Sequence, residues 1–179
     1  MTLVIMAIVL LGSTLLQAGL PAFSWLGQAR FPFLLAAVLY YALNRRTNVM
    51  LTAAALAGLL QDAFSPMPLG YSACCFCLAG WAAGSFKAVV ATDAPITPAF
   101  FGCVSGIAVA LAQHLLLAGG GLVSYPLPRA LLKCVGSGLL GMVCTPPVFY
   151  GAGWLDRITG NVEVRRRVEG VPDGFDESA

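Results

Sequence analysis

The chain has 179 residues, of which 59% are hydrophobic and 10% charged, with a mean hydropathy of +0.84 and a formal net charge of +2. A water-soluble domain carries about 25% charged residues, and a chain of this size still has to present a surface to its solvent. These figures argue against a soluble domain and for a chain whose solvent is lipid.

The apolar runs are continuous and rich in Ala, Leu and Gly, without the alternation of an outer-membrane barrel. Each helical span needs about 20 residues to cross a hydrocarbon core of roughly 30 Å, so the length predicts an all-α integral membrane fold of about six transmembrane helices. The first run, Leu3 to Leu20, stops at Pro21. It lacks a basic leader and a small-x-small cleavage site and reads as a retained helix. A loop with Trp25, Gln28 and Arg30 leads to Pro32, which suits the first turn of a second helix ending near Leu43, with Tyr40 and Tyr41 toward its far interface.

A polar break from Asn44 to Asn48 contains Arg45 and Arg46 and precedes a third segment that closes between Asp62 and Phe64. The second and third segments are short, so they either span with outward-snorkelling arginines and a thinned bilayer or form a re-entrant pair. Pro66, Pro68 and Gly70 predict a tight turn, after which a fourth helix runs to about Val90 with Lys87 near its end. Past Thr92-Asp93-Ala94-Pro95, Thr97 is the expected N-cap and Pro98 the first residue of a fifth helix, which Gly119-Gly120-Gly121 ends. The sixth helix starts near Pro128 or Arg129 and reaches Leu155, with a kink expected at Pro146-Pro147. Residues 1–155 thus form the membrane domain, and 156–179 a polar, flexible cytoplasmic tail.

With both termini cytoplasmic, Arg45, Arg46, Lys87, Arg157 and the triplet Arg165-Arg166-Arg167 lie inside, and Arg30, Arg129 and Lys133 outside. The positive-inside rule supports that orientation in an inner membrane. Asp62 then sits at the outer end of the third helix, where it faces the negative end of the macrodipole and needs a partner. Gln17, Gln61, Gln113, His114, Arg129 and Lys133 share its level. Two readings stand: an ion pair of Asp62 with Lys133 or Arg129 that pins two helices, or a polar site for a partner helix, a lipid head group or a small ligand.

His114 is the sole histidine and reads as a hydrogen-bonded structural residue rather than a metal ligand or triad member. The six cysteines fall in apolar segments and complete no zinc set, so they read as small buried side chains. Gly80-Trp-Ala-Ala-Gly84 and Gly102-Cys-Val-Ser-Gly106, with Gly136, Gly138 and Gly141, allow close helix approach; internal crossings are the favoured use, and a homodimer contact stays open. No phosphate loop, paired catalytic carboxylates or nucleophile elbow appears, so no enzyme, cofactor or nucleic-acid partner is expected.

From Arg30 onward the order of signals resembles the rod shape-determining protein MreD family. The carriers are Arg30-Phe-Pro32 with its run to Tyr40-Tyr41, the basic break, Gly58-Leu-Leu-Gln-Asp62, and Pro68-Leu-Gly70-Tyr-Ser-Ala73. The cysteine-rich fourth helix and the long tail depart from it. The resemblance implies a non-catalytic scaffold of the cell-elongation machinery that binds the single-span protein MreC and, directly or through it, the MreB filament and a peptidoglycan synthase. It also implies a fold similar to the substrate-binding subunits of energy-coupling factor transporters, which makes a vitamin-transporter subunit the alternative function. Gly58, Asp62 and Gly70 carry over as structural or interface positions, and Pro68, His114, Arg129 and Lys133 join them as candidate site residues.

Overall fold

Apolar runs punctuated by proline, glycine and charge form six α-helices, with no strand among the described residues. In this computed structural model those residues are 2–20, 30–65, 69–87, 96–120 and 127–159. The helices are α1 (Thr2–Gly19), α2 (Phe33–Asn44), α3 (Thr47–Ala63), α4 (Tyr71–Ser85), α5 (Ile96–Gly119) and α6 (Leu127–Ile158). The expected tail beyond Thr159, the turn prolines Pro66 and Pro68, the loop residues Trp25 and Gln28, and the break Thr92 to Pro95 lie outside the described residues.

Local chemistry sets most of the boundaries. Pro32 precedes α2, and its carbonyl accepts the Ala36 amide at 3.0 Å, the first bond of the helix. Gly70 precedes α4 with φ of 100°, a left-handed conformation that costs a side-chain-bearing residue energy. α4 ends at Ser85 rather than near Val90, because the Phe86 and Lys87 amides turn back to the Ala83 and Gly84 carbonyls, each at 3.1 Å, in a tightened last turn. α5 opens at Ile96, so Thr97 stands inside the first turn instead of capping it. α6 keeps Pro146 and Pro147 within one helical element and runs past Leu155, so Asp156 and Arg157 belong to the bundle and not to the tail.

The helices alternate in direction. Gln17 near the end of α1 meets Leu34 at the start of α2, Asp62 at the end of α3 meets Ser72 at the start of α4, and Gln113 late in α5 meets that same serine. At the opposite end, Arg45 after α2 meets Lys87 after α4 and Asp156 near the end of α6. The bundle therefore has an Asp62 end and an Arg45 end.

α2 is the central element. Every residue from Leu34 to Leu43 is buried, and the other five helices pack around it. Tyr40 and Tyr41 are accordingly core residues, not interfacial anchors: Tyr41 is among the most completely buried large side chains, and Tyr40 stands edge-on to Phe149 of α6 with ring centroids 5.4 Å apart. A helix sheathed on all sides must be apolar all round, which is why α2 carries no amphipathic stripe.

The outer helices pair through small residues. α3 meets α4 where Gly58 leaves no room for a Cβ against the Ala73 backbone, and α5 meets α6 where Gly102 and Gly106 face Gly141, Thr145 and Ser137. Gly102 and Gly106 thus serve an internal crossing, and Gly80 of the other pair packs against Met50 of α3 and Val38 of α2, as small-residue spacing allows. Leucines 3, 11, 15, 16, 111, 115, 131 and 139 stay exposed around the outside, the surface expected where the solvent is apolar.

Length divides the helices. Ile96–Gly119 and Arg129–Ile158 are long and apolar enough to cross a membrane, whereas α1 and α2 are apolar but shorter. The second and third helices are short as expected, α2 having 12 residues and α3 17, and α4 with 15 and α1 with 18 are also shorter than α5 and α6.

Candidate functional site

At the Asp62 end, a carboxylate with 2% exposure lies at the close of α3, and its partners are amide hydrogens. The Gly70 amide donates to Oδ2 at 2.7 Å, and the Ser72 amide donates to Oδ1 and Oδ2 at 3.2 Å each. The expected ion pair with Lys133 or Arg129 is replaced by capping: the carboxylate seats on the N-terminus of α4, where otherwise orphaned donors and the positive end of the helix dipole stabilise its charge. Charge-assisted bonds of this kind are roughly twice as strong as neutral ones. Gly70 is needed for the turn that brings its own amide round to Asp62.

The network continues sideways. Gln113 of α5 donates through Nε2 to the Ser72 hydroxyl at 3.0 Å, so α3, α4 and α5 are tied at one level. Gln17 of α1 accepts the Leu34 amide through Oε1 at 3.5 Å and donates through Nε2 to Gln61 Oε1 at 2.6 Å. Of the polar residues expected to converge, Gln17, Gln61, Asp62 and Gln113 do so, with Ser72 as a member that sequence reasoning missed. His114 is half-buried one position beyond Gln113, and Arg129 and Lys133 are exposed on α6.

Beside this network, α1, α2 and α3 leave an open cleft of ≈ 350 Å³ lined by Thr14, Gln17, Ala18, Leu20, Arg30, Leu34, Leu60, Gln61, Phe64 and Ser65. Among the described residues, Arg30 is its only charged lining residue.

The Arg45 end holds a second buried polar cluster. Arg45, 5% exposed, places Nη2 3.0 Å from Asp156 Oδ2, and the Tyr40 hydroxyl donates to the same oxygen at 2.7 Å. Arg45 therefore does not snorkel outward, whereas its neighbour Arg46 is exposed. Lys87 donates through Nζ to the Arg45 carbonyl at 2.8 Å, adding the end of α4 to the same knot. Asp156 is thus a buried member of the bundle rather than the first residue of a polar tail; its place directly after the apolar run that ends at Leu155 is the sequence signal for it. The Tyr41 hydroxyl next to this cluster is buried and has no hydrogen-bond partner among the described residues.

No group of histidine, cysteine and acidic residues able to hold a metal occurs among the described residues. The cysteines are all thiols; Cys75, Cys134 and Cys144 are buried as expected, but Cys74 is exposed, and Cys77 and Cys103 are half-buried. At both polar ends side chains of one helix bond to another, and what such an arrangement does is fix helix ends relative to one another.

Residues 1–143 match the profile of the family described as rod shape-determining protein MreD. Neither a curated protein nor a solved structure matches the chain.

Proposed function

The chain belongs to the rod shape-determining protein MreD family, a family of membrane proteins, and from that premise we propose that it is a non-catalytic scaffold of the cell-elongation machinery in the bacterial inner membrane. It crosses the membrane six times with both termini in the cytoplasm. It holds the transmembrane helix of an MreC-like single-span protein and through it supports the MreB filament and lateral peptidoglycan synthesis.

The observation that carries this reading is the capped turn at Asp62. The carboxylate ties the end of α3 to the start of α4 through the Gly70 and Ser72 amides, and Leu69 beside Gly70 is 73% exposed. Two helix ends tied together beside an exposed apolar side chain suit a helix-binding surface, since preorganisation lowers the ordering cost of association. The charge distribution supports the orientation: Arg46, Lys87 and Arg157 gather at the Arg45 end, which faces the cytoplasm under the positive-inside rule.

Native co-purification in mild detergent, with stoichiometry by mass spectrometry, tests the proposal. Recovery of a single-span protein with a periplasmic coiled coil is the expected result, and Asp62→Asn should lower that recovery. Recovery of paired ATPases with a membrane coupling subunit would instead assign the fold to vitamin transport and sink the scaffold reading.

A further inference from the structure

The cleft between α1, α2 and α3 has a donor-rich lining whose orientation is fixed by the backbone. Gln17 accepts the Leu34 amide, which commits its Oε1 and leaves its Nε2 to donate to Gln61 Oε1. Gln61 is thereby oriented in turn, with its carbonyl oxygen engaged and its Nε2 left as a donor for whatever enters the cleft. The Thr14 hydroxyl spends its proton on the Leu10 carbonyl at 2.8 Å. Among the described residues, Arg30, exposed at the rim, is the only charged one lining the cleft, and no acidic side chain lines it to oppose the guanidinium. A guanidinium, an amide N–H₂ and the Ser65 hydroxyl together recognise a phosphate-type oxyanion, for which arginine supplies paired donors.

Two further lining residues point to the source of that phosphate. Leu20 is 39% exposed and Phe64 62% exposed, each beside the polar lining. A soluble phosphate has no use for them, whereas a phospholipid whose head group sits among the donors lays its acyl chains over these side chains. The volume of ≈ 350 Å³ admits a head group and is at the small end of the roughly 300–1,000 Å³ typical of ligand sites. We propose that this cleft binds the phosphate head group of an anionic phospholipid, with Arg30 and Gln61 as its recognition residues. This site adjoins the Asp62 corner, but the proposal does not rest on that corner's partner-binding role.

The test uses the full chain in detergent, with phosphatidylglycerol added and retained lipid counted by native mass spectrometry, and with affinity measured by titration. Arg30→Gln removes the cation from an exposed position. Gln61→Glu keeps the acceptor that Gln17 requires but replaces the free donor with a second carboxylate oxygen, and Arg157→Gln removes an equal charge at the other end of the bundle as control. Each cleft variant should lower phosphatidylglycerol affinity at least tenfold while the control leaves it unchanged, and melting without lipid confirms that the variants fold. Affinity in both cleft variants equal to that of the parent overturns the proposal. Displacement of the lipid by inorganic phosphate at comparable concentration overturns the lipid assignment and makes the site one for a soluble anion.

Discussion

A carboxylate buried at the end of α3 and held by amide hydrogens loses more on substitution than one paired with an exposed lysine. Asp62→Asn keeps the shape but replaces one acceptor oxygen with a donor that faces other donors, and Asp62→Ala leaves the first turn of α4 uncapped. Either change should cost about 1–2 kcal/mol, read as a lower midpoint of thermal unfolding in detergent. Lys133→Ala and Arg129→Ala should leave the midpoint unchanged, since both residues are exposed; a loss matching that of Asp62→Ala would restore the ion pair. At the other end, Asp156→Ala strips Arg45 of a buried counter-charge and Tyr40 of its acceptor. That should cost about 3–5 kcal/mol, whereas the double variant Arg45→Met, Asp156→Leu should recover most of it, because a buried pair replaced by apolar groups is close to neutral. If the double variant is no more stable than Asp156→Ala, the cost lies elsewhere in the knot. The need for a partner at Asp62 was legible in the sequence, but the identity of that partner was not, because every residue except proline carries a backbone N–H and such donors leave no signature. The pairing of Arg45 with Asp156 was hidden for a different reason: the two residues are distant in the chain, and each looked like a solvated charge beside an apolar run.

At the level of helix pairs, glycine spacing was the most informative pattern. Gly58 on α3, and Gly102 with Gly106 on α5, sit where an added Cβ would meet backbone or a buried threonine, whereas Gly12 on α1 has open space around it. Gly58→Leu and Gly102→Leu should therefore each destabilise the bundle by at least the 1–3 kcal/mol typical of overpacking. Gly12→Leu should be tolerated. Equal melting of all three variants would mean that the glycines face lipid rather than helix. Helix ends were harder to read than helix pairs, since α4 stops at Ser85 through a tightened backbone turn within a sequence that continues apolar to Val90. Composition could not locate that stop because the bonds that make it are main-chain bonds.

The whole molecule is lopsided, and this was only half visible in the sequence. The shortness of the second segment was evident, but its place at the centre was not, because an all-apolar segment looks the same facing lipid as facing five other helices. At 1.5 Å per residue, α2 is about 18 Å long and α5 about 36 Å, so polar groups at the two ends of the short helices lie closer together than a full hydrocarbon core. The Gln17–Leu34 contact and the Arg45–Asp156 pair bracket α2 and fix that short distance. A bilayer meeting the outer short helices α1, α3 and α4 has to thin, whereas α5 and α6 can accommodate a thin bilayer by tilting, at modest cost in each case. The protein should consequently melt at a higher temperature in nanodiscs of fourteen-carbon acyl chains, about four carbons shorter than ordinary membrane lipids, than in the longer-chain lipid at matched head group. Because the buried pair at the Arg45 end sets one limit of the short side, the double variant Arg45→Met, Asp156→Leu should narrow the preference for thin lipid. A parent protein that is more stable in the thicker bilayer would show that the short helices do not set the membrane boundary, and that the polar clusters lie within water-filled or protein-covered recesses instead.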